Sequence, residues 1–300
     1  RGAAQARRLA PWPAGAMSAQ QLATDVKDAI EDTLERNLSP KKLKRYMELL
    51  GPALLIVTYA EDAWRIVTRW SEQMVFMSSH MRWPRPVGAL ILLISIATQV
   101  GGSVGVVSRR QVKHSCYALL VFTGLQPVVY GQLSDPDFMF RMLTQIGGLL
   151  LLLRHEATIA RAGQRGALGE AFSGVERGVG GARLQLLGRT LLMVLFFFQG
   201  VRHVSSNGAT PLALLGYLAV LLLCILVMVG FKARWSAVIL AVALGVSNMW
   251  MYPFWRVSSR RRDFYKYYFF NTVSVMGGLI LLATYGPGGL SVDQGNKKGI

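Results

Sequence analysis

The sequence predicts an all-α polytopic membrane protein, with about eight transmembrane helices arranged as two parallel four-helix repeats. Three observations carry that reading. Of 300 residues, 52% are hydrophobic and 16% charged, and mean hydropathy is +0.35; soluble domains carry about 25% charged residues. The apolar residues come in blocks that approach the roughly 20 helical residues a bilayer requires. Short motifs inside those blocks recur at a near-constant offset. The net charge of +17 does not point to nucleic acid. The basic residues sit between apolar runs, where positive charge orients membrane proteins.

Taken in order, residues 1–16 are rich in Arg, Ala and Pro and lack an apolar core, so they are not a signal peptide. Met17 is read as the native start and 1–16 as a non-native or upstream leader, with an Arg-rich transit peptide as the alternative. Residues 17–40 form a cytosolic amphipathic segment, with Leu22, Val26, Ile30, Leu34 and Leu38 at four-residue intervals. Ser39-Pro40 reads as an N-cap followed by proline in the first turn. Lys41, Lys42, Lys44 and Arg45 then form a basic collar. Apolar runs follow at about 46–67, 87–107, 115–133 and 138–153, then at about 184–203, 212–231, 235–255 and 268–286. The first four-helix repeat is 41–160 and the second 184–290, joined by a cytosolic linker at 161–183 and followed by a tail at 291–300.

An even span count puts both termini on one side. The basic connections at 108–114, 154–183 and 232–234 share the side of the collar. The opposite connections hold Glu61, Asp62, Glu72, Asp135, Asp137 and Asp263, together with Arg82, Arg85 and Arg260–Arg262. Pro127 and Pro136 leave the count around 115–153 open. The repeat rests on two matches. Leu50-Gly51 with Leu54-Leu55 parallels Leu187-Gly188 with Leu191-Leu192, and Asp137-Phe138…Gly147-Gly148-Leu149 parallels Asp263-Phe264…Gly277-Gly278-Leu279. The offsets are 137 and 126–130 residues. A four-span unit leaves its second copy in the same orientation, as in parallel-repeat transporters.

Catalytic chemistry finds no support. His80, His114, His155 and His203 are scattered, with no metal-ligand spacing. Cys116 and Cys224 lie far apart inside apolar runs and read as small buried side chains. Gly101-x-x-x-Gly105, Gly147-Gly148 and Gly277-Gly278 read as points of close helix approach. The functional candidate is Glu61-Asp62-Ala-Trp64-Arg65, followed by Trp70-Ser71-Glu72-Gln73. In a helix running from Tyr46, Glu61 lies about 22 Å along, near the far edge of the hydrocarbon. Ionisable groups there face a cavity or a partner. Glu61 and Arg65 stand four apart in the favourable order for a helical ion pair, which would leave Asp62 as a negative group beside Trp64 and Trp70. Phe254 and Trp255, with Tyr252, Pro253 and the 260–268 segment, would close an aromatic rim; the alternative is a belt of interfacial anchors.

Glu-Asp-x-x-Arg…Trp-Ser-Glu-Gln at 61–73, Asp-Phe-x-Lys-Tyr-x-Phe-Phe-x-Thr-x-Ser-Val-x-Gly-Gly at 263–278, Gly-Pro-Gly-Gly at 286–289 and Lys297-Lys298 near the end resemble the surfeit locus protein 4 family. The repeat unit is similar to the four-span DoxX-type membrane domain. The resemblance implies a cargo receptor and not an enzyme, with no cofactor, no metal and no catalytic residue. Such receptors bind secretory proteins in the lumen of the endoplasmic reticulum, enter COPII vesicles bound for the Golgi, and return by the COPI coat. Some cargo is recognised through its N-terminus, often apolar-Pro-apolar. It further implies Glu61 and Asp62 as a lumenal acidic pair and Lys297 and Lys298 as a dilysine retrieval signal. Tyr268 stands where related chains are expected to carry an acid. The cargo-binding set is thus Glu61, Asp62, Trp64, Arg65, Trp70, Phe254 and Trp255. A transporter or lipid-handling protein of the early secretory pathway is the alternative; a membrane oxidoreductase subunit, suggested only by the DoxX-like unit, lacks paired thiols.

Overall fold

The computed structural model describes residues 40–163, 176–207, 211–286, 288 and 291–292. Residues 1–16, read above as a leader, the 17–39 segment, Lys297 and Lys298 lie outside them. The chain divides into Arg1–Tyr46 and Met47–Ile300. Of the first unit only 40–46 are described, as the opening turns of a helix; the second unit holds the bundle.

Among the described residues the structure is helical, without strands. The elements are α1 Pro40–Thr68, α2 Trp70–Ser79, α3 Arg85–Val107, α4 Val112–Val129, α5 Pro136–Gly163, α6 Glu176–Asn207, α7 Pro211–Val229, α8 Ala233–Met251 and α9 Ser259–Tyr285. Five segments are long and apolar enough to cross a membrane: Arg85–Val107, Pro136–Ala157, Gly181–Val201, Ala233–Met251 and Arg261–Tyr285. Leu214–Val229 is a shorter apolar helix. α1 is less apolar because Glu48, Glu61, Asp62 and Arg65 interrupt it, and α4 opens on Lys113 and His114.

Several boundaries differ from the sequence reading. α9 starts at Ser259, so Arg260–Arg262 and Asp263–Tyr268 form its first turns and are not a loop. Glu72 belongs to a helix, α2, where the apolar pattern predicts a connection. α4 stops at Val129, because Gly131 adopts φ +63°, the left-handed conformation that ends helices. α5 starts where Asp135 accepts the Asp137 N–H at 3.0 Å with Pro136 between them, an N-cap followed by a proline in the first turn.

Glycine sets the packing around α5 and α9. A Cβ on Gly147 would meet Gly188 O and Leu192 N of α6, both at 2.7 Å. A Cβ on Gly277 would meet the Leu55 N–H of α1, and Gly51 O at 2.7 Å. Gly148 lies against Leu55 and Gly278 against Leu192. Backbones approach this closely only where no side chain intervenes. Two apolar clusters fill the surrounding space. One joins Leu55, Ile56, Cys116, Leu119, Leu149 and Leu152; the other joins Leu192, Leu195, Cys224, Leu240, Val275 and Leu279. Both cysteines are free and buried. One packing expectation fails: nothing lies within 4 Å of a Cβ on Gly101. The helix face that meets α4 instead carries Gly102 against Leu119 and Gly105 against Ser115.

Candidate functional site

The polar groups gather where the C-terminal half of α1 meets α3, α4, α5 and α9. Asp62 is the centre, its side chain 14% exposed. Arg65, one turn on, donates to Asp62 Oδ1, and Gln99 Nε2 of α3 donates to Asp62 Oδ2 at 2.7 Å. The expected pairing is therefore corrected: Arg65 closes on Asp62, three residues back, and not on Glu61. Positions i+3 and i+4 are both within reach on a helix. The choice falls to Asp62, which turns toward Gln99.

Beside Asp62 lies a cavity of about 20 Å³, lined by Thr58, Tyr59, Asp62, Gln126, Phe138, Met142, Gln145 and Tyr267. One water-sized group needs about 10–15 Å³, so a single small polar head fits and a lipid or folded segment does not. Asp62 supplies a carboxylate, and hydroxyl and amide oxygens supply further acceptors around it. Tyr59 is already engaged, its hydroxyl 2.8 Å from Thr123 Oγ1 of α4. Tyr267 connects the site to α9, and the Arg65 guanidinium stands 5.8 Å from its ring centroid. A ring of acceptors with aromatic faces suits a cation. Among the described residues no group of three His, Cys, Asp or Glu side chains could hold a metal ion.

The other candidates spread out. Glu61 is half-buried, within electrostatic reach of Arg65, Lys266 and Asp263. Trp64 is 68% exposed and does not line the cavity. Trp70 packs against the Ile66, Met77 and Leu92 cluster that closes this end of the bundle. Phe254 and Trp255 sit edge-on at 5.1 Å, and both meet Phe269 of α9. They form an aromatic group of their own; like Trp64, they are not among the residues lining the cavity. The sequence reading missed Gln99, Tyr59 and Gln126, and it held Tyr267 only as part of the 260–268 segment. Gln99 carried a usable signal, a lone amide inside the apolar run 87–107.

A surface ion pair ties the site's edge together. Arg69, between α1 and α2, lies 2.6 Å from Asp263 of α9 and 3.1 Å from Glu72. These side chains are part-exposed, so each contact contributes at most about 1 kcal/mol. Arg69→Asp should lower the thermal midpoint in detergent by a few degrees, since it sets three acids together. The exchange Arg69→Asp with Asp263→Arg should recover at least half of that loss.

Helices long enough to cross a bilayer, packed around a small polar pocket, define a multi-pass membrane protein. Comparison makes the class specific. The model of the SURF4 family matches residues 21–299. A surfeit locus protein 4 homolog of Schizosaccharomyces pombe is 35% identical over 84% of this chain and 82% of its own length. The Drosophila melanogaster homolog is 32% identical over 89% of this chain and 96% of its own length. The ER-derived vesicles protein ERV29 of Saccharomyces cerevisiae is 27% identical over 85% and 79%. No solved structure matches. The chain belongs to the SURF4 family.

Proposed function

We propose that this chain is a cargo receptor of the endoplasmic reticulum, which binds the free N-terminus of secretory proteins in the lumen. The observation that carries the reading is the Asp62 pocket, whose volume and acceptor lining suit one ammonium group. A mature protein presents an α-ammonium, mostly charged below a pKa of about 8. Family membership and the name of the yeast relative, a protein of ER-derived vesicles, support the compartment. A pocket this small argues against the transporter or lipid-handling alternative.

In this reading the bundle comprises eight spans in two parallel four-helix repeats, with both termini cytosolic. The exchange of partners between Gly147 with Gly188 and Gly277 with Gly51 supports it, as an approximate two-fold axis between α5 and α9 would produce that pattern. The Asp62 end then faces the lumen. Lys297 and Lys298 return the protein through COPI, and COPII carries it outward. Trp64, Trp70, Phe254 and Trp255 contribute an outer apolar rim to the N-terminal segment of cargo.

Acetylating the N-terminus of a cargo peptide tests the pocket. Binding to the purified chain should fall about tenfold or more, the worth of one charge-assisted hydrogen bond. Equal binding of free and acetylated peptides would remove the ammonium reading.

A further inference from the structure

Arg141 of α5 is a buried cation that the pocket does not use. It is 2% exposed, and its Nε and Nη1 have no hydrogen-bond partner. The ring of Tyr268 stands 4.0 Å over its guanidinium, which neutralises little and satisfies no N–H. Removing an arginine from water costs several kcal/mol unless its donors are met, and ionisable groups inside a membrane bundle mark ligand sites.

A second group faces the same place. α5 and α9 run in parallel, since both begin near the Asp62 pocket and both reach Leu55 further along. They are in register at Gly148 and Gly278. Seven residues earlier on each helix, which is two turns, stand Arg141 and Asn271. Asn271 is 0% exposed, and neither its Oδ1 nor its Nδ2 has a partner. Two buried polar side chains, level with each other and not bonded to each other, leave donors for an oxygen that the chain does not supply.

That place adjoins the ammonium pocket. Arg141 shares a helix stripe with Phe138 and Gln145, which line the cavity. Tyr267 lines the cavity too, lies within reach of the Arg141 charge and precedes Tyr268, which covers Arg141. A peptide whose ammonium sits at Asp62 carries its first carbonyls outward at about 3.3–3.6 Å per residue. We infer that Arg141, assisted by Asn271, is the acceptor-binding half of the site and takes the first or second backbone carbonyl of the bound N-terminal segment. The ligand class is then an α-amino acyl chain, not an amine in general. This inference rests on the ammonium reading of Asp62.

The test uses the full chain in phosphatidylcholine nanodiscs and two probes: a short peptide amide with a free N-terminus, and the alkylamine that matches its first residue but lacks the carbonyl. The wild-type chain should bind the peptide roughly ten- to a hundredfold more tightly than the amine, the range of a hydrogen bond to a charged group. Arg141→Met should bring that ratio to about one and leave amine affinity unchanged. The bundle should survive, because apolar replacement of a buried charge is often neutral or stabilising. Arg141→Lys should keep part of the ratio through a single donor. An unchanged ratio in Arg141→Met overturns the carbonyl role alone. Failure of both probes to bind the wild-type chain overturns the ammonium reading, and this inference with it. Loss of the peptide's advantage when phosphatidylserine is added would assign Arg141 to a lipid headgroup and overturn the peptide role.

Discussion

Gly277→Val should leave almost no folded protein. A Cβ at this position would meet the Leu55 backbone nitrogen, with Gly51 O at 2.7 Å. Both atoms belong to the backbone of α1, so no rotamer change relieves the clash. α1 and α9 would have to separate. That breaks the buried Ser274 hydroxyl bond to Leu55 O and opens the contact of Leu281 with Gly51. Overpacking typically costs about 1–3 kcal/mol; overpacking against two helix backbones together with loss of a buried hydrogen bond should exceed about 4 kcal/mol, most of the stability of a small domain. Gly101→Ala is the matched control. It meets nothing within 4 Å, and alanine favours a helix interior by about 0.5–1 kcal/mol over glycine. In detergent extracts Gly277→Val should elute as aggregate, whereas Gly101→Ala should elute as the native chain does, with an equal or higher thermal midpoint. A monodisperse Gly277→Val with a normal midpoint would mean that α1 and α9 do not cross here.

The contrast between those glycines indicates how far the sequence could be read. The Gly147-Gly148 and Gly277-Gly278 doublets announced close approach, because paired small residues in a long apolar run have few other uses. Gly101-x-x-x-Gly105 looked equally strong, yet the face that meets α4 is shifted by one residue to Gly102. Spacing gives the existence of a small face, but only the partner helix gives its azimuth. The same limit appears at Arg65. Two carboxylates lie within a turn of it, and Gln99, distant in sequence, decides between them. The opening turns of α9 were hidden for a different reason. Arg260–Asp263 and the tyrosines after them have the composition of an interfacial loop, while the helix extends through them. Asp62 itself was legible, since a carboxylate late in a membrane-length helix has few inexpensive locations. Tyr59 and Gln126 were not, because a tyrosine or glutamine near a span end reads equally well as a belt residue.

Asp62→Asn is expected to weaken cargo capture strongly while the bundle stays folded. The substitution keeps volume and an oxygen for Gln99, and it removes the carboxylate, shared with Arg65 and Gln99, that in the proposed reading also takes the ammonium. Arg65 loses its partner, but Glu61 lies four residues before it, the other position a helical arginine can reach. That reserve pairing is why the variant should unfold within a few degrees of the parent. A charge-assisted hydrogen bond contributes about 1.5–3 kcal/mol, so binding of a free N-terminus should weaken about ten- to a hundredfold. Secretory proteins that depend on the chain should then accumulate in the endoplasmic reticulum. Glu61→Gln should weaken binding much less, since Glu61 does not line the cavity. The pair of variants separates a specific contact from a general negative field. If both lose capture equally, the two acids act only through their summed charge, and the pocket at Asp62 is not where the ammonium docks. If Asp62→Asn restores export in cells lacking the native chain, the acid has no part in cargo binding.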